Sequence, residues 1–492
     1  MTKKVIIIGS GIAGLASAIR LSSSGYSVRV FESNTNVGGK ISEIRENGYR
    51  FDTGPSLFTM PKLIDELVQI GYKNTHKKFD YKKIDITCSY FFDDGVILNA
   101  YADNKRFIDD TSNKLDLDPK IIRKYLNYVA FLFKSTNKIF IEKSLHKLST
   151  YLSIETLFSF LKIPFLSIFK SMNKTNTQRL KNPKLIKIFN RYATYNGSNP
   201  FVAPGILNVI SHLELNEGVF LPSKGMRSIV SCLYEICIKN DVVFELGSKV
   251  DKIELLDGKV KGVYSNEKYY SADIIISNID IHYVYKNLLN KPHYLSNYSK
   301  NKRSTSAIIF YWGIKKTFEK LSLHNILFAR DYENEFNEIE NSQNVQSDPT
   351  IYINITSKHI ATDAPKNSEN WFVMINVSHD KGQNWKLLVQ NAREKIIKKI
   401  NLFLNTDLEK LIEYEDYMDP TKIEFKTGSF QGSLYGSSSN DRMSAFLRHP
   451  NFTNKIKNLY FCGGTVHPGG GIPLALNSAK IVANEIISNE KN

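Results

Sequence analysis

Apolar and polar positions along this chain fall into helical and extended patterns that alternate from end to end. Val5 to Ile8 is an unbroken apolar run between Lys4 and Gly9, which predicts a strand buried on both faces. Leu21 lies on the helix that follows, Gly25 ends it, and Val28 and Val30 alternate into Glu32, completing a βαβ unit. From Pro61 to Ile70 the apolar residues Leu63, Leu67 and Ile70 share one helical face. Thr87 to Phe92 and Val96 to Leu98 alternate as strands, and residues 115–210 read mostly as helix. A helix is expected to end near Lys239, followed by strands in Val242–Val250, Val260–Val263 and Ala272–Asp280. Further strands are expected at Thr305–Trp312, Thr350–Ile355 and Trp371–Val377, with an amphipathic helix from Trp385 to Leu404. The run Asp331-Tyr-Glu-Asn-Glu-Phe336 reads as a solvated loop rather than a metal site. Leu459–Cys462 closes the pattern as a buried strand before a glycine-rich turn and a helix from about Pro473.

With 492 residues, 42% hydrophobic and 23% charged, the chain has the composition of a globular protein large enough for two packed lobes. Its formal net charge of +16 adds something. Biased codon use, visible as abundant Lys, Asn and Ile, accounts for part of it, and contact with an anionic membrane surface for the rest. Tyr125–Phe133, Ile139–Ile141 and Tyr151–Phe169 are dense in aromatic and aliphatic residues interrupted by lysines. Such a stretch is either an interfacial helix pair or a helical cap with solvated lysines. No nucleic-acid recognition motif accompanies the charge, so nucleic acid is not an expected partner. Cys88, Cys232, Cys237 and Cys462 are scattered without C-x-x-C spacing, which indicates neither disulfides nor a metal site. A strand from residue 4 leaves no room for a signal peptide, and no run of eighteen apolar residues occurs; a cytoplasmic protein resting on the inner membrane face is expected.

Gly9, Gly11 and Gly14 stand where side chains would obstruct the turn, a pyrophosphate and the helix–strand contact of a dinucleotide site. Glu32 then suits a ribose hydroxyl and would repel a 2′-phosphate. A second glycine pair follows in Asn34-Thr-Asn-Val-Gly-Gly-Lys40, and then Phe51-Asp-Thr-Gly-Pro-Ser56. These segments resemble the flavoprotein family that includes amine oxidases, protoporphyrinogen oxidases and carotenoid desaturases. The resemblance implies an α/β fold in which a Rossmann-type FAD-binding domain (1–80, 211–285, 421–492) interleaves with a mixed α+β substrate domain (81–210, 286–420) that also meets the membrane. It further implies that Gly38, Gly39 and Lys40 approach the FAD pyrophosphate, that Gly54 and Pro55 lie beside the flavin, and that Val250 touches the adenine through its backbone.

The segment Gly463-Gly-Thr-Val-His-Pro-Gly-Gly-Gly-Ile-Pro-Leu474 is the most specific motif in the chain. Together with the N-terminal motifs it is similar to the bacterial-type carotenoid desaturases, phytoene desaturases and their relatives. Its wording is closer to the 1-hydroxycarotenoid 3,4-desaturases. Gly464, Thr465, Gly471 and Ile472 are the implied flavin contacts; Thr465 stands near a place where many FAD enzymes have a Gly-Asp pair. His467 reads either as an acid or base or as a residue that hydrogen-bonds the turn, and His212 and Glu214 are similar to a polar pair lining a substrate tunnel. The implied activity is FAD-dependent formation of a C=C bond in a hydrophobic carotenoid, with quinone or oxygen as electron acceptor. No second glycine fingerprint is visible, so no NAD site is expected. A phytoene or diapophytoene desaturase, an oxidase of an amine or porphyrinogen, and a non-enzymatic carotenoid carrier are the alternatives.

Overall fold

The computed structural model describes residues 2–73, 77–147, 150, 162–295, 298, 302–440 and 447–490. A five-stranded parallel sheet organises the first lobe, in the order Leu459–Phe461, Ile274–Ser277, Lys4–Ile8, Ser27–Phe31 and Val243–Glu245. Its central strand explains why the apolar run is unbroken. Val5 and Ile7 point into a core shared with helices Ile12–Ser23, Lys62–Gly71, Arg227–Lys239 and Ile472–Asn489. Ile6 and Ile8 point into a second core, against an antiparallel meander of Val250–Leu256, Lys259–Ser265 and Lys268–Ser271. Strand side chains alternate between faces, so both faces of a covered parallel strand must be apolar.

The second lobe rests on a seven-stranded sheet in the order Ile412–Met418, Ser306–Ile314, Glu369–Val377, Ile351–Ile355, His324–Leu327, Ile86–Phe91 and Ile97–Tyr101. Pairing is antiparallel except between His324–Leu327 and Ile86–Phe91. Helix Trp385–Leu404 covers one face through Leu388, Ala392, Ile396 and Ile400, one side of its turns. Helices Pro119–Thr136, Met172–Leu180 and Pro183–Arg191 belong to a further core against the Ile86–Tyr101 hairpin.

Two expectations need correction or restriction. The acidic run at Asp331 is not a loop: Asp331 caps helix Tyr332–Asn341 by accepting from the backbone N–H groups of Glu333 and Asn334. Glu335 is buried there and accepts from the Thr350 backbone (2.7 Å) and hydroxyl (2.6 Å). The interfacial helix pair read in Tyr151–Phe169 falls largely on residues 151–161, outside the described residues. Beyond them the chain forms a short 3-10 turn, Ile163–Phe165, with Phe165 and Phe169 exposed.

The lobes are joined by a buried charge network. Arg50 forks onto Asp363 (2.7 and 2.6 Å) and also donates to Asp52 (2.9 and 3.2 Å). Asp52 in turn accepts from the backbone N–H groups of Met226 and Arg227, at the start of helix Arg227–Lys239. One side chain thus ties hairpin Glu43–Asp52, a first-lobe helix and the second-lobe turn Ala361–Asp363.

Candidate functional site

At the end of the first strand Gly9 adopts φ +96°, and helix Ile12–Ser23 starts at Gly11 without a side-chain cap. Its first backbone N–H groups therefore remain available to an anion. Gly14 is required by packing: a Cβ there would lie 2.2 Å from the Gly9 carbonyl oxygen. Glu32 is buried beside this turn. One carboxylate oxygen accepts from the Ser10 N–H (2.9 Å) and hydroxyl (2.7 Å), the other from the Asn34 N–H and side-chain amide (both 2.9 Å).

Two further loops lock onto the first, backbone against backbone. Gly38 N–H donates to the Ser10 carbonyl (3.1 Å), and a Cβ on Gly54 would lie 1.8 Å from the Lys40 carbonyl oxygen. The Lys40 ammonium donates to the Leu434 carbonyl (2.7 Å). Burial pushes it down to about 8, against the pull of Asp280.

The C-terminal turn completes the ring of loops. Strand Leu459–Phe461 leads into it and helix Ile472–Asn489 leaves it, with Gly471 at the cap facing open space. Asn278 links this turn to the first one. Its amide donates to the Gly9 carbonyl (3.3 Å), and Cβ atoms on Gly11 or Gly463 would come within 2.8 and 2.7 Å of it. Asp280 pairs with Arg303 (2.8 Å), and Arg448 donates to the carbonyls of Tyr435 (2.6 Å) and Gly464 (3.3 Å). Burial pushes the Arg448 guanidinium down to about 10. Sequence reading passed over Asn278, Arg303 and Arg448, and took Asp280 only as the end of a strand. The only local signal was that Asn278 and Asp280 end an apolar strand, the usual place for ligand contacts in such a sheet.

All these loops border one cavity of about 1500 Å³. Of the residues singled out from the sequence, Gly9, Gly11, Glu32, Gly38, Gly39, Lys40, Gly54, Pro55, Glu214, Val250, Gly464, Thr465, His467, Gly471 and Ile472 line it. Gly14 lies behind the wall. His212 does not line the cavity either: its ring stacks on Phe133, which does, and Nδ1 meets the Asn216 amide (2.6 Å). His467 lines it, and its Nε2 meets the Lys143 carbonyl (2.9 Å), a partner outside its own turn. Glu214 is held by hydroxyl donors, Tyr192 to Oε1 (3.1 Å) and Tyr195 to Oε2 (2.8 Å). Burial pushes its carboxyl up to about 7, opposed by those hydrogen bonds and by the charge of Arg191. Among the described residues no cluster of His, Cys, Asp and Glu could hold a metal ion.

A family model described as flavin containing amine oxidoreductase matches residues 12–487. The chain belongs to this family. It is 49% identical over 484 residues to a 1-hydroxycarotenoid 3,4-desaturase from Flavobacterium sp. (strain P99-3), covering 98% of this chain and 99% of that protein. It is 28% identical over 490 residues to a 4,4′-diaponeurosporene oxygenase from Staphylococcus haemolyticus (strain JCSC1435), covering 98% and 97% of the two chains. The fold is also that of cyclohexylamine oxidase from Brevibacterium oxydans IH-35A (TM-score 0.64, 14% identity, both chains covered in full).

The cofactor of this flavin containing oxidoreductase is FAD, and the residues fit it. Bare backbone at Gly9, Gly11, Gly38 and Gly39 can receive a pyrophosphate, and Glu32 can receive ribose hydroxyls. The loops at Gly54, Thr465 and Gly471 enclose space continuous with it. Beyond them the wall becomes apolar, with Phe133, Phe140, Ile206, Leu207, Ile210 and Leu213.

Proposed function

We propose that this protein is an FAD-dependent desaturase that introduces a C=C bond into a carotenoid, the 3,4 bond of a 1-hydroxycarotenoid. The observation that carries the reading is a single cavity running from dinucleotide-type glycine loops to a long apolar wall. A polyene needs such a wall, and it needs no metal or nucleophile. Likeness to the Flavobacterium desaturase over nearly the whole chain supports the choice of substrate. When bound, the flavin supplies hydride acceptance. The chain itself fixes which carbon pair faces that acceptor, excludes water, and offers Glu214, the cavity-lining carboxyl pushed up to about 7, to take the proton at a carboxylate oxygen.

The FAD contacts in this reading are Gly9, Gly11, Glu32, Gly38, Gly39, Lys40, Gly54, Pro55, Val250, Gly464, Thr465, Gly471 and Ile472, with Gly14 packing the first turn from behind. Residues 1–80, 211–285 and 421–492 form the cofactor domain, and the remainder the substrate domain. The acceptor for the electrons is a quinone or oxygen. Among the described residues no helix is long and apolar enough to cross a membrane. Exposed Phe131, Phe165, Phe169 and Val202, with Lys134, Lys170 and Lys174 nearby in sequence, support docking on the inner membrane face, where the substrate dissolves.

The test is anaerobic incubation of the FAD-loaded protein with liposomes containing phytoene, a 1-hydroxylated carotenoid, or neither. Bleaching of the flavin band by the hydroxylated carotenoid, with a longer-wavelength product, is expected. Bleaching by phytoene alone would move the reading to an early-pathway desaturase. Bleaching by an amine or a porphyrinogen but by no carotenoid would overturn it.

A further inference from the structure

The loop 53–56 contains Gly54 and Pro55, the residues assigned to the flavin, and both its ends are tied to the seven-stranded sheet. The Thr53 carbonyl accepts from the Tyr311 hydroxyl (3.0 Å), and Ser56 Oγ lies 2.7 Å from the Tyr352 hydroxyl. That hydroxyl lies 2.7 Å from Nδ1 of His324, on the neighbouring strand. Ser56, Tyr352 and His324 all line the cavity, and Ser56 and Tyr352 are only half-buried. Among the described residues Tyr352 is the sole hydrogen-bond partner of Ser56 Oγ.

This chain of three groups has one direction, and Asn354 sets it. The Asn354 side-chain nitrogen donates to the Leu323 carbonyl (3.1 Å), which can only accept, so the amide's orientation is fixed. The same nitrogen lies 3.1 Å from His324 Nδ1, which must therefore present its lone pair. Burial, helped by the charge of His359, pushes His324 down to about 3, so the ring is neutral and carries its one proton on Nε2. Nε2 meets no partner and favours neither tautomer. With Nδ1 accepting, the Tyr352 proton goes to His324, and the Tyr352 oxygen takes the proton of Ser56. Ser56 Oγ, its proton spent inside the wall, offers the cavity lone pairs only.

A site of this polarity selects its ligand. It receives an O–H or N–H and opposes an ether, a carbonyl or a carboxylate, which bring only lone pairs. An ammonium would need a buried counter-charge, and no carboxylate hydrogen-bonds to Ser56, Tyr352 or His324 among the described residues. The wall around the chain is apolar: the Phe372 ring meets that of Tyr352 (6.1 Å), Met374 is the cross-strand partner of Tyr352, and both line the cavity. The fitting group is one hydroxyl on a hydrocarbon. Position agrees with the proposed reaction, on which this inference rests. A hydroxyl on carbon 1 is three carbon–carbon bonds of about 1.5 Å from carbon 4, so its subsite must adjoin the reacting region. Ser56 follows directly on the loop assigned to the flavin.

We propose that Ser56 Oγ, its own proton held by the Tyr352–His324 pair, is the acceptor for the tertiary hydroxyl of the substrate's end group. Ser56 is thus a specificity-determining residue, and Tyr352 and His324 are positioning residues that fix its polarity.

The experiment measures kcat/KM of FAD-loaded wild type, S56A and Y352F on a 1-hydroxylated carotenoid, its O-methyl ether and the same polyene without oxygen, in identical liposomes. Ratios between substrates are compared within each variant, so that any change in the common chemical step cancels. Wild type should prefer the hydroxylated substrate over the oxygen-free one by at least roughly 10-fold, and S56A should bring that ratio to within about 3-fold of one. Y352F frees the Ser56 proton to turn into the cavity, so the ether should gain at least roughly 5-fold on the oxygen-free polyene. S56A, which supplies room but no proton, should show no such gain. Flavin content and melting temperature check that each variant is folded, and Y352F carries the test if S56A is not. An unchanged hydroxyl ratio in S56A overturns the subsite, and an ether that gains nothing in Y352F overturns the assigned polarity. Equal losses on all three carotenoids with a shifted flavin spectrum would give the acceptor to the cofactor, which also overturns the subsite; each of these outcomes leaves the desaturase reading standing. Oxidation of no carotenoid by wild type refutes the desaturase reading and the subsite with it.

Discussion

Replacing Glu214 by Gln preserves shape and removes one titration. In the folded protein burial pushes this carboxyl from a usual value of 4.5 up to about 7. The folded state therefore keeps a proton that the unfolded chain releases, across the window between those two values. Its contribution to stability is complete below about pH 4.5, falls as pH rises through the window, and is gone above pH 7. A displacement of this size corresponds to about 3 kcal/mol. Unfolding entropy for a chain of 492 residues is on the order of 1 kcal/mol per kelvin, so the change amounts to about 3 °C in melting temperature. The assay is thermal unfolding of FAD-loaded wild type and E214Q from pH 4.5 to 8. Subtracting one curve from the other cancels the remaining titrations, including that of Glu335, also pushed up to about 7 by burial. The advantage of E214Q over wild type should grow by about 3 °C from the acid end to the alkaline end. A difference that stays flat, or shrinks as pH rises, would refute the claim that a buried carboxyl titrates in this wall.

Three other outcomes are expected. Gly14→Ala sets a methyl 2.2 Å from the Gly9 carbonyl, so the purified variant should carry at least roughly tenfold less FAD per protein by absorbance; full flavin content would contradict the packing role. Arg50→Met strands Asp52 and Asp363 in the interior and should cost about 3–5 kcal/mol, read as a lower melting temperature; an unchanged value would mean the network holds nothing. The double change F165S/F169S should weaken co-sedimentation with anionic liposomes by roughly tenfold or more at constant flavin content, and unaltered binding would place the membrane contact elsewhere.

Where sequence reading succeeded, the determinants were local. Val5, Ile6, Ile7 and Ile8 each face a core, and three glycines occur where the turn needs them, so the βαβ unit was legible from one short stretch. Helix Trp385–Leu404 was legible because its apolar period is uninterrupted. Failures arose where a distant partner decides. Glu333 and Glu335 look like a solvated run, yet Glu335 is buried because Thr350 supplies two donors from the edge of another strand. His212 and Glu214 are two residues apart, but where the α-helical turn Val209–His212 passes into the wider π-helical turn Leu213–Glu217 only the second reaches the cavity. Arg50 and Asp363 are separated by 313 positions, and nothing near either announces the other. Arg191 is one more lysine-or-arginine in a basic chain until its helix is seen to end at the cavity.

The strand order has a consequence for how the molecule is made. Ile274–Ser277 is flanked on one side by Lys4–Ile8 and on the other by Leu459–Phe461. During synthesis its second neighbour arrives about 180 residues later, which at about 5–20 residues per second is roughly 10–40 s. For that interval Ile275 and Ile276, both fully buried in the finished protein, sit on an open sheet edge that another nascent chain could extend. Cofactor supply cannot shorten the wait, since the glycine turn after Phe461 closes the binding loops. The yield of active protein should therefore respond to translation speed and to chaperones that shield β edges more than to flavin concentration.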